Sequence, residues 1–274
     1  MRKFNEALLK WLIGISVFLT VGFLFTIVGF IVVKGIGTIS LGFLTEEYSS
    51  MDGGGILPMI VTTLYTVVLS IVIATPLGIL SAIYLQEYAK KGRMVSMIRF
   101  AIEALAGIPS IIYGLFGGIF FVATLHMGYS IVAGSLTLAI IILPVIIRTT
   151  EEALKTVPMA YKEASLALGA TRFQTLYKVI LPSAMPGILS GVILSIGRVI
   201  GESAPVLLTA GTVAGMPGGV FDSARTLTVH AYLLTKERGD ISGAAAVGIV
   251  LLVIVLILNI LTKIVAKKFS KVEG

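Results

Sequence analysis

Residues 103–148 read EALAGIPSIIYGLFGGIFFVATLHMGYSIVAGSLTLAIIILPVIIR, and no Lys, Arg, Asp or Glu lies between Glu103 and Arg148. An α-helix rises about 1.5 Å per residue and the hydrocarbon core of a bilayer is about 30 Å thick. The stretch is therefore long enough for most of two membrane-crossing helices, with a turn near His126–Tyr129. It predicts two neighbouring transmembrane helices, which are the third and fourth spans of the chain.

The composition of the whole chain indicates the same class of protein. Apolar residues make up 57% of the 274 residues, charged residues make up 13%, and the mean hydropathy is +1.03. This composition is too apolar and too poor in charge for an ordinary soluble domain, so we expect an integral membrane protein. The chain has no cysteine, and its only histidines are His126 and His230. Two scattered imidazoles give metal catalysis little support, so we expect no metal and no cofactor.

Four further apolar stretches bring the predicted number of spans to six. The first, Trp11–Val33, has no charge and is longer than the core of a signal peptide, which predicts a retained anchor. The others run from Gly53 to Gln86, from about Pro186 to Leu208, and from about Ile241 to Thr262. We therefore predict an all-α polytopic membrane protein with six transmembrane helices.

The distribution of basic residues predicts the orientation of the chain, because cytoplasmic loops retain Lys and Arg. Four segments carry most of them: the N-terminus, the loop between spans two and three, the loop between spans four and five, and the C-terminus. We expect both termini to be cytoplasmic, in the cell membrane of a prokaryote. This orientation explains the net charge of +7 without nucleic acid, although some lysines could also contact membrane lipid. The basic residues on the other side are Lys34, Arg225, Lys236 and Arg238.

The loop from Arg148 to Pro182 is the only long polar stretch on the predicted cytoplasmic side. Its sequence predicts two short helices: Pro158 suits an early helix position, and Gly169 can end the first helix in a left-handed conformation. Leu181-Pro182 is expected to end the second helix before span five. A helix-turn-helix DNA reader has a similar pattern, but this loop is short and is held between two membrane helices.

This loop resembles the EAA loop of ABC-importer permeases, in which E-A-A is followed by three residues, G, nine residues, I, any residue and L-P. The matching positions have the same spacing, with Ser165 in place of the second Ala and Val179 in place of Ile. The resemblance covers about Ile56 to Ile264. It implies a type I, MetI-like permease core with an added N-terminal anchor helix, and a loop that docks on a separate ATP-hydrolysing subunit. The residues expected to mediate this coupling are Glu163, Ala164, Ser165, Gly169, Leu181 and Pro182.

Three further runs, 106–114, 148–154 and 200–205, are similar to those of permeases from phosphate-specific importers. Such importers pair two related permeases, PstA and PstC, and the runs 53–55 and 84–89 resemble PstA more. The resemblance implies four partners: inorganic phosphate, a second homologous permease, a dimer of the ATP-binding subunit and an extracytoplasmic phosphate-binding protein. The alternatives are the PstC role or a permease for another oxyanion.

The resemblance also predicts the domain organisation of the chain. Residues 1–55 are expected to form an N-terminal tail, the anchor helix and an external loop. Residues 56–264 form the permease domain, which includes the coupling loop 148–182, and residues 265–274 form a cytoplasmic tail.

Arg198 and Glu202 are the candidate residues of the substrate pathway. They lie one helical turn apart in an apolar span, where a charge costs roughly 2.5–3.5 kcal/mol on the insertion scale. The arginine fork suits a tetrahedral oxyanion. An ionised Glu202 could accept a hydrogen bond from phosphate, which still carries a proton at neutral pH, whereas sulfate has no proton to donate. The alternative is an i,i+4 ion pair within one helix that has no contact with solute.

The chain has no P-loop or ABC signature, so it is not expected to be an enzyme. Energy would come from the partner ATPase through the loop around Glu163 and Gly169. A rival function is an ATP-independent channel or secondary transporter. An intramembrane enzyme using Glu202 or Glu103 lacks a nucleophile and base.

Three weaker expectations concern single residues. Glu103 is expected to pair with Arg99 or Arg148, and the run Gly53–Gly55 is expected to form a turn. His230 and Arg225 are expected to be exposed on an external loop, where they could meet a binding protein.

Overall fold

Long apolar helices make up most of the structure, which is a computed structural model that describes residues 2–49, 54–90 and 92–270, with side chains from residue 9 to residue 264. Within those ranges the secondary structure is helical throughout, which confirms the all-α prediction. The α-helices are, in order, α1 (Arg2–Gly35), α2 (Leu41–Thr45), α3 (Leu57–Ile83), α4 (Arg93–Gly107), α5 (Ser110–Gly117), α6 (Ile131–Thr156), α7 (Met159–Ala167), α8 (Arg172–Thr175), α9 (Leu181–Gly201), α10 (Ala204–Thr209), α11 (Leu227–Leu233) and α12 (Ile241–Ser270). Shorter 3₁₀ and π-helical segments are Ile36–Thr38, Tyr84–Tyr88, Gly118–Thr124, Leu176–Ile180 and Leu234–Arg238.

Five segments among the described residues are long and apolar enough to cross a membrane: Leu9–Thr38, Leu57–Tyr88, Ile131–Thr156, Arg172–Gly201 and Ile241–Ile264. A sixth span is formed only if α4 and α5 are counted together, and these two helices meet at a bend of 99°. The prediction of six spans is confirmed with this difference. The third span is not a straight helix, because Ile108 precedes a proline and adopts an extended conformation (φ −71°, ψ 132°).

Helices α3, α6 and α9 form the centre of the bundle. Their buried faces share one apolar cluster that includes Val67, Leu138, Ile142 and Ile196. Buried hydroxyl groups on α3 donate hydrogen bonds to carbonyls one turn earlier, and Ser70 also donates to the carbonyl of Ser135 on α6 at 3.1 Å. The hydroxyls of Thr62, Thr63, Thr66 and Ser70 are therefore satisfied inside the bundle, whereas the buried hydroxyl of Thr75 on the same helix has no hydrogen-bond partner among the described residues.

The N-terminal helix α1 is the most exposed span. It packs against α12, where Ile31 and Gly35 lie beside Gly248 and Ala245. Most of its apolar side chains are exposed, as expected for an anchor helix surrounded by lipid or by another membrane protein. Gly53, in the predicted glycine turn, lies outside the described residues, while Gly54 and Gly55 are in a non-helical connection before α3.

The polar loop after α6 forms the predicted first helix and left-handed stop. Helix α7 is followed by Gly169 at φ +86°, and Thr171 and Gln174 form a capping box at the start of α8. The prediction that Leu181-Pro182 ends the second helix is wrong. The helical path continues from Arg172 to Gly201 through the π-helical segment Leu176–Ile180. In the π-helical segment the N–H groups bond carbonyls five residues earlier, and α9 begins after it at Leu181. Pro182 therefore lies in the first turn of α9, where its missing N–H costs little.

Candidate functional site

Arg198 lies just before a break in span five, and Glu202 lies within the break. Arg198 is in the last turn of α9, which ends at Gly201, and Glu202 is extended (φ −78°, ψ 127°). The helix resumes at Ala204, so the predicted continuous span from Pro186 to Leu208 is wrong in this respect. Pro205 explains the break, because it lacks the N–H that a continuous helix would direct at the carbonyl of Gly201.

The two charged groups form an ion pair across this break. Arg198 Nε lies 3.8 Å from Glu202 Oε1, and the side chains are 33% and 16% exposed. This separation is longer than a hydrogen bond, so each group keeps hydrogen-bonding capacity for another partner. The position of Arg198 is favoured by the negative end of the α9 dipole. Since Glu202 is not helical, the pair does not have the regular i,i+4 geometry of a continuous helix.

Two of the runs that resemble phosphate permeases meet beside this pair. A Cβ atom at Gly114 of α5 would lie 2.8 Å from the Cα of Pro205, so the two backbones pack closely. Tyr113, the residue before it, is buried in the central cluster and lies near Arg198. Its hydroxyl donates a hydrogen bond of 2.7 Å to the carbonyl of Leu105. Sequence reasoning singled out this run but did not identify Tyr113 as a neighbour of the charged pair.

The hydroxyl of Thr228 at the start of α11 donates a hydrogen bond of 3.1 Å to the carbonyl of Glu202. Because Glu202 is outside a helix, its carbonyl needs such a partner. The first turn of α11 thus fixes the backbone of the break at Glu202. No signal in the sequence points to Thr228, since its partner lies 26 positions away in the chain.

A second cluster lies on the loop and helix next to Thr228. His230 is buried and packs edge-on against Tyr48, with ring centroids 5.0 Å apart, and Arg225 and Arg238 lie over the same tyrosine ring at 4.9 and 5.4 Å. Burial, with additional repulsion from the two guanidinium groups, lowers the pKa of His230 to about 4, and Asp240 opposes this effect. Burial also lowers the pKa of Arg225. The expectation that His230 is exposed is therefore wrong, and Arg225 is only partly exposed.

The six candidate coupling residues divide into two groups. Glu163, Ala164 and Gly169 are exposed, while Ser165, Leu181 and Pro182 are partly buried. Ser165 and Thr175 share a hydrogen bond of 3.0 Å between their hydroxyls, which joins α7 to α8. Large apolar side chains around the exposed group face outward, namely Met159, Tyr161, Leu168, Phe173 and Tyr177. An exposed apolar patch of this kind is typical of a protein interface.

Ion pairs connect the loop and its neighbours to the bundle. Lys162 of α7 pairs with Glu87, at the end of the π-helical segment that follows α3. Arg148 donates a hydrogen bond of 3.3 Å to Glu103, which places Glu103 with one of its expected partners. Sequence reasoning missed Glu151, a buried carboxylate that lies 3.2 Å from Arg99. In the part of the chain with described side chains, no group of three or more His, Asp or Glu residues has the geometry of a metal site.

Comparison with known proteins places this architecture in a family. Residues 74–271 match the family described as "Binding-protein-dependent transport system inner membrane component". The chain is 34% identical to the phosphate transport system permease protein PstA of Pasteurella multocida, over 98% of this chain and 97% of that protein. It is 36% identical to PstA 1 of Mycobacterium tuberculosis, over 80% and 71%. It is also 35% identical to the probable ABC transporter permease protein YqgI of Bacillus subtilis, over 94% of each chain.

Solved structures show the same fold. A chain of the inward-facing MetNI methionine ABC transporter matches 80% of this chain and 94% of its own length with a TM-score of 0.54 and 26% identity. A chain of a bacterial alginate ABC transporter matches 97% of this chain and 96% of its own with a TM-score of 0.74, at 16% identity. The family is one of transport permeases rather than enzymes. This chain belongs to the family of binding-protein-dependent transport system inner membrane components, as an ABC-importer permease of the PstA type.

Proposed function

We propose that this chain forms half of the translocation path of an ATP-driven importer of inorganic phosphate. The observation that carries the proposal is the place of Arg198, a partly exposed guanidinium at the end of α9. Keeping a charge in an apolar span is costly, and charges kept there are commonly used for a solute or for each other. The relatives named as phosphate transport permeases support phosphate as the solute.

Arg198 and Glu202 have complementary roles in this proposal. The guanidinium attracts the anion and offers it several N–H donors in one plane. The carboxylate of Glu202 accepts the hydrogen bond of protonated phosphate. The separation of 3.8 Å between Arg198 Nε and Glu202 Oε1 supports these roles, because neither group is fully engaged by the other.

Coupling to ATP hydrolysis takes place at the loop after α6. Glu163, Ala164 and Gly169, with the apolar side chains beside them, contact a cleft of the ATP-binding subunit. Ser165, Leu181 and Pro182 support the loop from within. Because the helical path from Arg172 to Gly201 is continuous, a movement of the loop is transmitted along α9 to Arg198.

The remaining assignments follow from this function. A second homologous permease completes the path, a dimer of the ATP-binding subunit supplies energy, and an extracytoplasmic phosphate-binding protein delivers the anion. Both termini lie in the cytoplasm of a prokaryotic cell, with the permease domain at residues 56–264 and the coupling loop at 148–182. An ATP-independent channel has no use for a coupling loop, so transport through a channel would not depend on this loop.

The test uses the complete importer in proteoliposomes and measures phosphate uptake together with ATP hydrolysis. Arg198→Gln should assemble and hydrolyse ATP while uptake falls by at least about tenfold, because the remaining site lacks its charge. Lys34→Gln, which removes an exposed charge from α1, is the matched control and should transport normally. Normal uptake by Arg198→Gln would assign the pair a structural role, and uptake without ATP would favour a channel.

Glu202→Gln separates the role of the carboxylate from that of the arginine. The amide group that replaces the carboxylate would offer donors that sulfate can use, so we expect phosphate uptake to fall and discrimination against sulfate to weaken. Uptake and selectivity equal to those of the wild type would refute a direct role for Glu202.

A further inference from the structure

The first turn of α11 is hydrogen-bonded to two other parts of the bundle. The backbone N–H of Leu227 donates to Thr63 Oγ1 on α3 at 2.9 Å, and the hydroxyl of Thr228 donates to the carbonyl of Glu202 at 3.1 Å. Thr63 and Leu227 are buried, and Thr228 is partly exposed. This turn therefore connects a central helix of the bundle to the break in span five.

The hydroxyl protons in this turn have defined directions, because each threonine has one proton to donate. Thr63 gives its proton to a carbonyl one turn earlier on α3 at 2.7 Å, so it acts as the acceptor for Leu227. Thr228 gives its proton to Glu202, so in its contact of 3.0 Å with the hydroxyl of Thr226 the donor is Thr226. Thr226 also accepts from the backbone as the N-cap of α11. The hydroxyl of Thr228 is thus held in one orientation, with its proton directed at Glu202.

The backbone of Glu202 is held at both of its polar groups. Its N–H donates to the carbonyl of Val199 at 3.3 Å, and its carbonyl accepts from Thr228. The side chain leaves this fixed backbone with Oε1 3.8 Å from Arg198 Nε. A direct hydrogen bond between a guanidinium and a carboxylate is about 2.7–2.9 Å long, so the carboxylate stops about 1 Å short of contact.

The gap between the two charged groups decides how available Arg198 is to an anion. Opposite charges at this distance attract each other, and water screens them less where they are partly buried. If the carbonyl of Glu202 lost its partner, the backbone could turn and the carboxylate would close onto the guanidinium. A carboxylate in contact occupies the same planar N–H donors that an oxyanion needs, so it would compete with the solute.

We propose that Thr228 is a positioning residue for the anion site. Through the carbonyl of Glu202 it holds that carboxylate short of contact with Arg198, which keeps the guanidinium available and raises the affinity of the site for phosphate. Thr228 does this without touching the solute, and its own position is set by Thr226 and by the bond from Leu227 to α3. The inference rests on the proposed function for the identity of the anion and for the role of Arg198.

The first experiment measures the binding of inorganic phosphate to the assembled importer in nanodiscs without its binding protein, by phosphorus NMR line broadening. Thr228→Val removes the hydroxyl and keeps the shape, and it should raise the Kd at least about fivefold, because the carbonyl of Glu202 loses its partner. Thr228→Ser keeps a donor and should bind as the wild type does. Thr235→Val is the matched control, because the hydroxyl of this exposed threonine donates to a carbonyl within its own helical segment. It should leave the Kd unchanged.

A double variant tests whether Thr228 acts through Glu202. In Glu202→Gln no carboxylate is left to compete for Arg198, so adding Thr228→Val should raise the Kd no further. An unchanged Kd in Thr228→Val would overturn the proposal. An equal additional loss in the Glu202→Gln background would also overturn it, since Thr228 would then act by another route.

The second experiment measures the backbone directly, by amide hydrogen exchange of the peptide 199–210 in the same complexes. Exchange should be faster in Thr228→Val than in the wild type and Thr228→Ser, and equal rates in all three would overturn the proposal. Retained ATP hydrolysis shows that each variant is assembled. Normal phosphate binding by Arg198→Gln would overturn the proposed function itself. Binding lost in Arg198→Gln but normal in Thr228→Val would leave that function standing and remove only the role of Thr228.

Discussion

At the scale of single residues, the break at Glu202 shows how proline and glycine positions place charged groups. Gly201 and Pro205 flank the two residues that leave the helix, Glu202 and Ser203. A continuous helix would hold Arg198 and Glu202 in a regular pair with all backbone groups satisfied. The Glu202 N–H still donates to the carbonyl of Val199, but the break leaves the Glu202 carbonyl without a helical partner, and the hydroxyl of Thr228 donates to it instead.

Gly114 is expected to be intolerant of any side chain. A Cβ atom there would lie 2.8 Å from the Cα of Pro205 and 3.0 Å from Leu208 Cδ1, so the helices α5 and α10 would have to separate. We expect Gly114→Ala to lower stability by about 1–3 kcal/mol, the usual cost of overpacking. Thermal unfolding of the purified protein in detergent measures this. Gly22→Ala, where a Cβ atom would meet nothing within 4 Å, is the control and should be neutral or stabilising.

His230 makes stability depend on pH. Its folded-state pKa of about 4 is below the ordinary value of 6.5, so the unfolded chain binds the proton first as the pH falls. Stability should therefore be constant with respect to this group above pH 6.5 and decrease by up to about 1.4 kcal/mol per pH unit between pH 6.5 and 4. His230→Phe keeps a ring against Tyr48 and should flatten this part of the stability profile. The profile should persist in His126→Gln, and an equally steep decrease in His230→Phe would assign it to other groups.

At the scale of elements, the loop proposed to couple to the ATPase contains one left-handed glycine. Gly169 has φ +86°, a conformation that costs an L-residue roughly 1–2 kcal/mol. Gly169→Ala should strain the end of α7 and reduce the transport obtained per ATP hydrolysed. Gly169→Asp tolerates the left-handed conformation better, but it adds a charge to the exposed surface proposed to contact the ATPase, so it should have a larger effect or prevent assembly. Uptake and ATP hydrolysis measured on the same proteoliposomes give this ratio.

Gly239 provides the matched control for that experiment. It has φ +64°, and a Cβ atom added at either glycine would meet nothing within 4 Å, but Gly239 follows the π-helical segment Leu234–Arg238 rather than α7. Gly239→Ala should carry a similar cost in stability and leave the ratio of uptake to hydrolysis unchanged. If both variants lower the ratio equally, the effect arises from general destabilisation and not from the loop.

At the scale of the whole molecule, the sequence was sufficient for the class of fold and for the number of spans, because apolar runs such as 131–147 exceed what a soluble helix needs. It was insufficient at three proline sites that look alike in the sequence. Pro109 separates two helices at 99°, Pro205 begins a new helix after a break, and Pro182 lies within a continuous helical path. These three outcomes differ because the structure around each proline differs, and the local sequence does not show this. The π-helical segment before Pro182 is one example.

The candidate site also divides into residues that the local sequence identifies and residues that it does not. Arg198 and Glu202 were found from their cost in an apolar span, which is a local property of the sequence. Thr228 and the burial of His230 depend on contacts between segments that are distant in the chain, and the sequence carries no period or motif that encodes them.

Two connections lead from the coupling loop into the bundle, and the second gives the last prediction. The first is the continuous path along α9, and the other is the ion pair of Lys162 with Glu87, which joins α7 to the end of the second span. The side chains of Lys162 and Glu87 are only 30% and 15% exposed, so water and salt screen this pair less than an exposed one.

Lys162→Glu or Glu87→Lys alone places like charges together, and each should reduce uptake several-fold at unchanged ATP hydrolysis. The double exchange restores an attractive pair and should recover most of the uptake. Lys155 and Glu152 form an exposed pair at 2.7 Å on the neighbouring α6, and the same exchange there should have little effect, since exposed pairs contribute at most about 1 kcal/mol. Failure of the double exchange to recover uptake, with both single variants assembled, would leave α9 as the connection that transmits the movement.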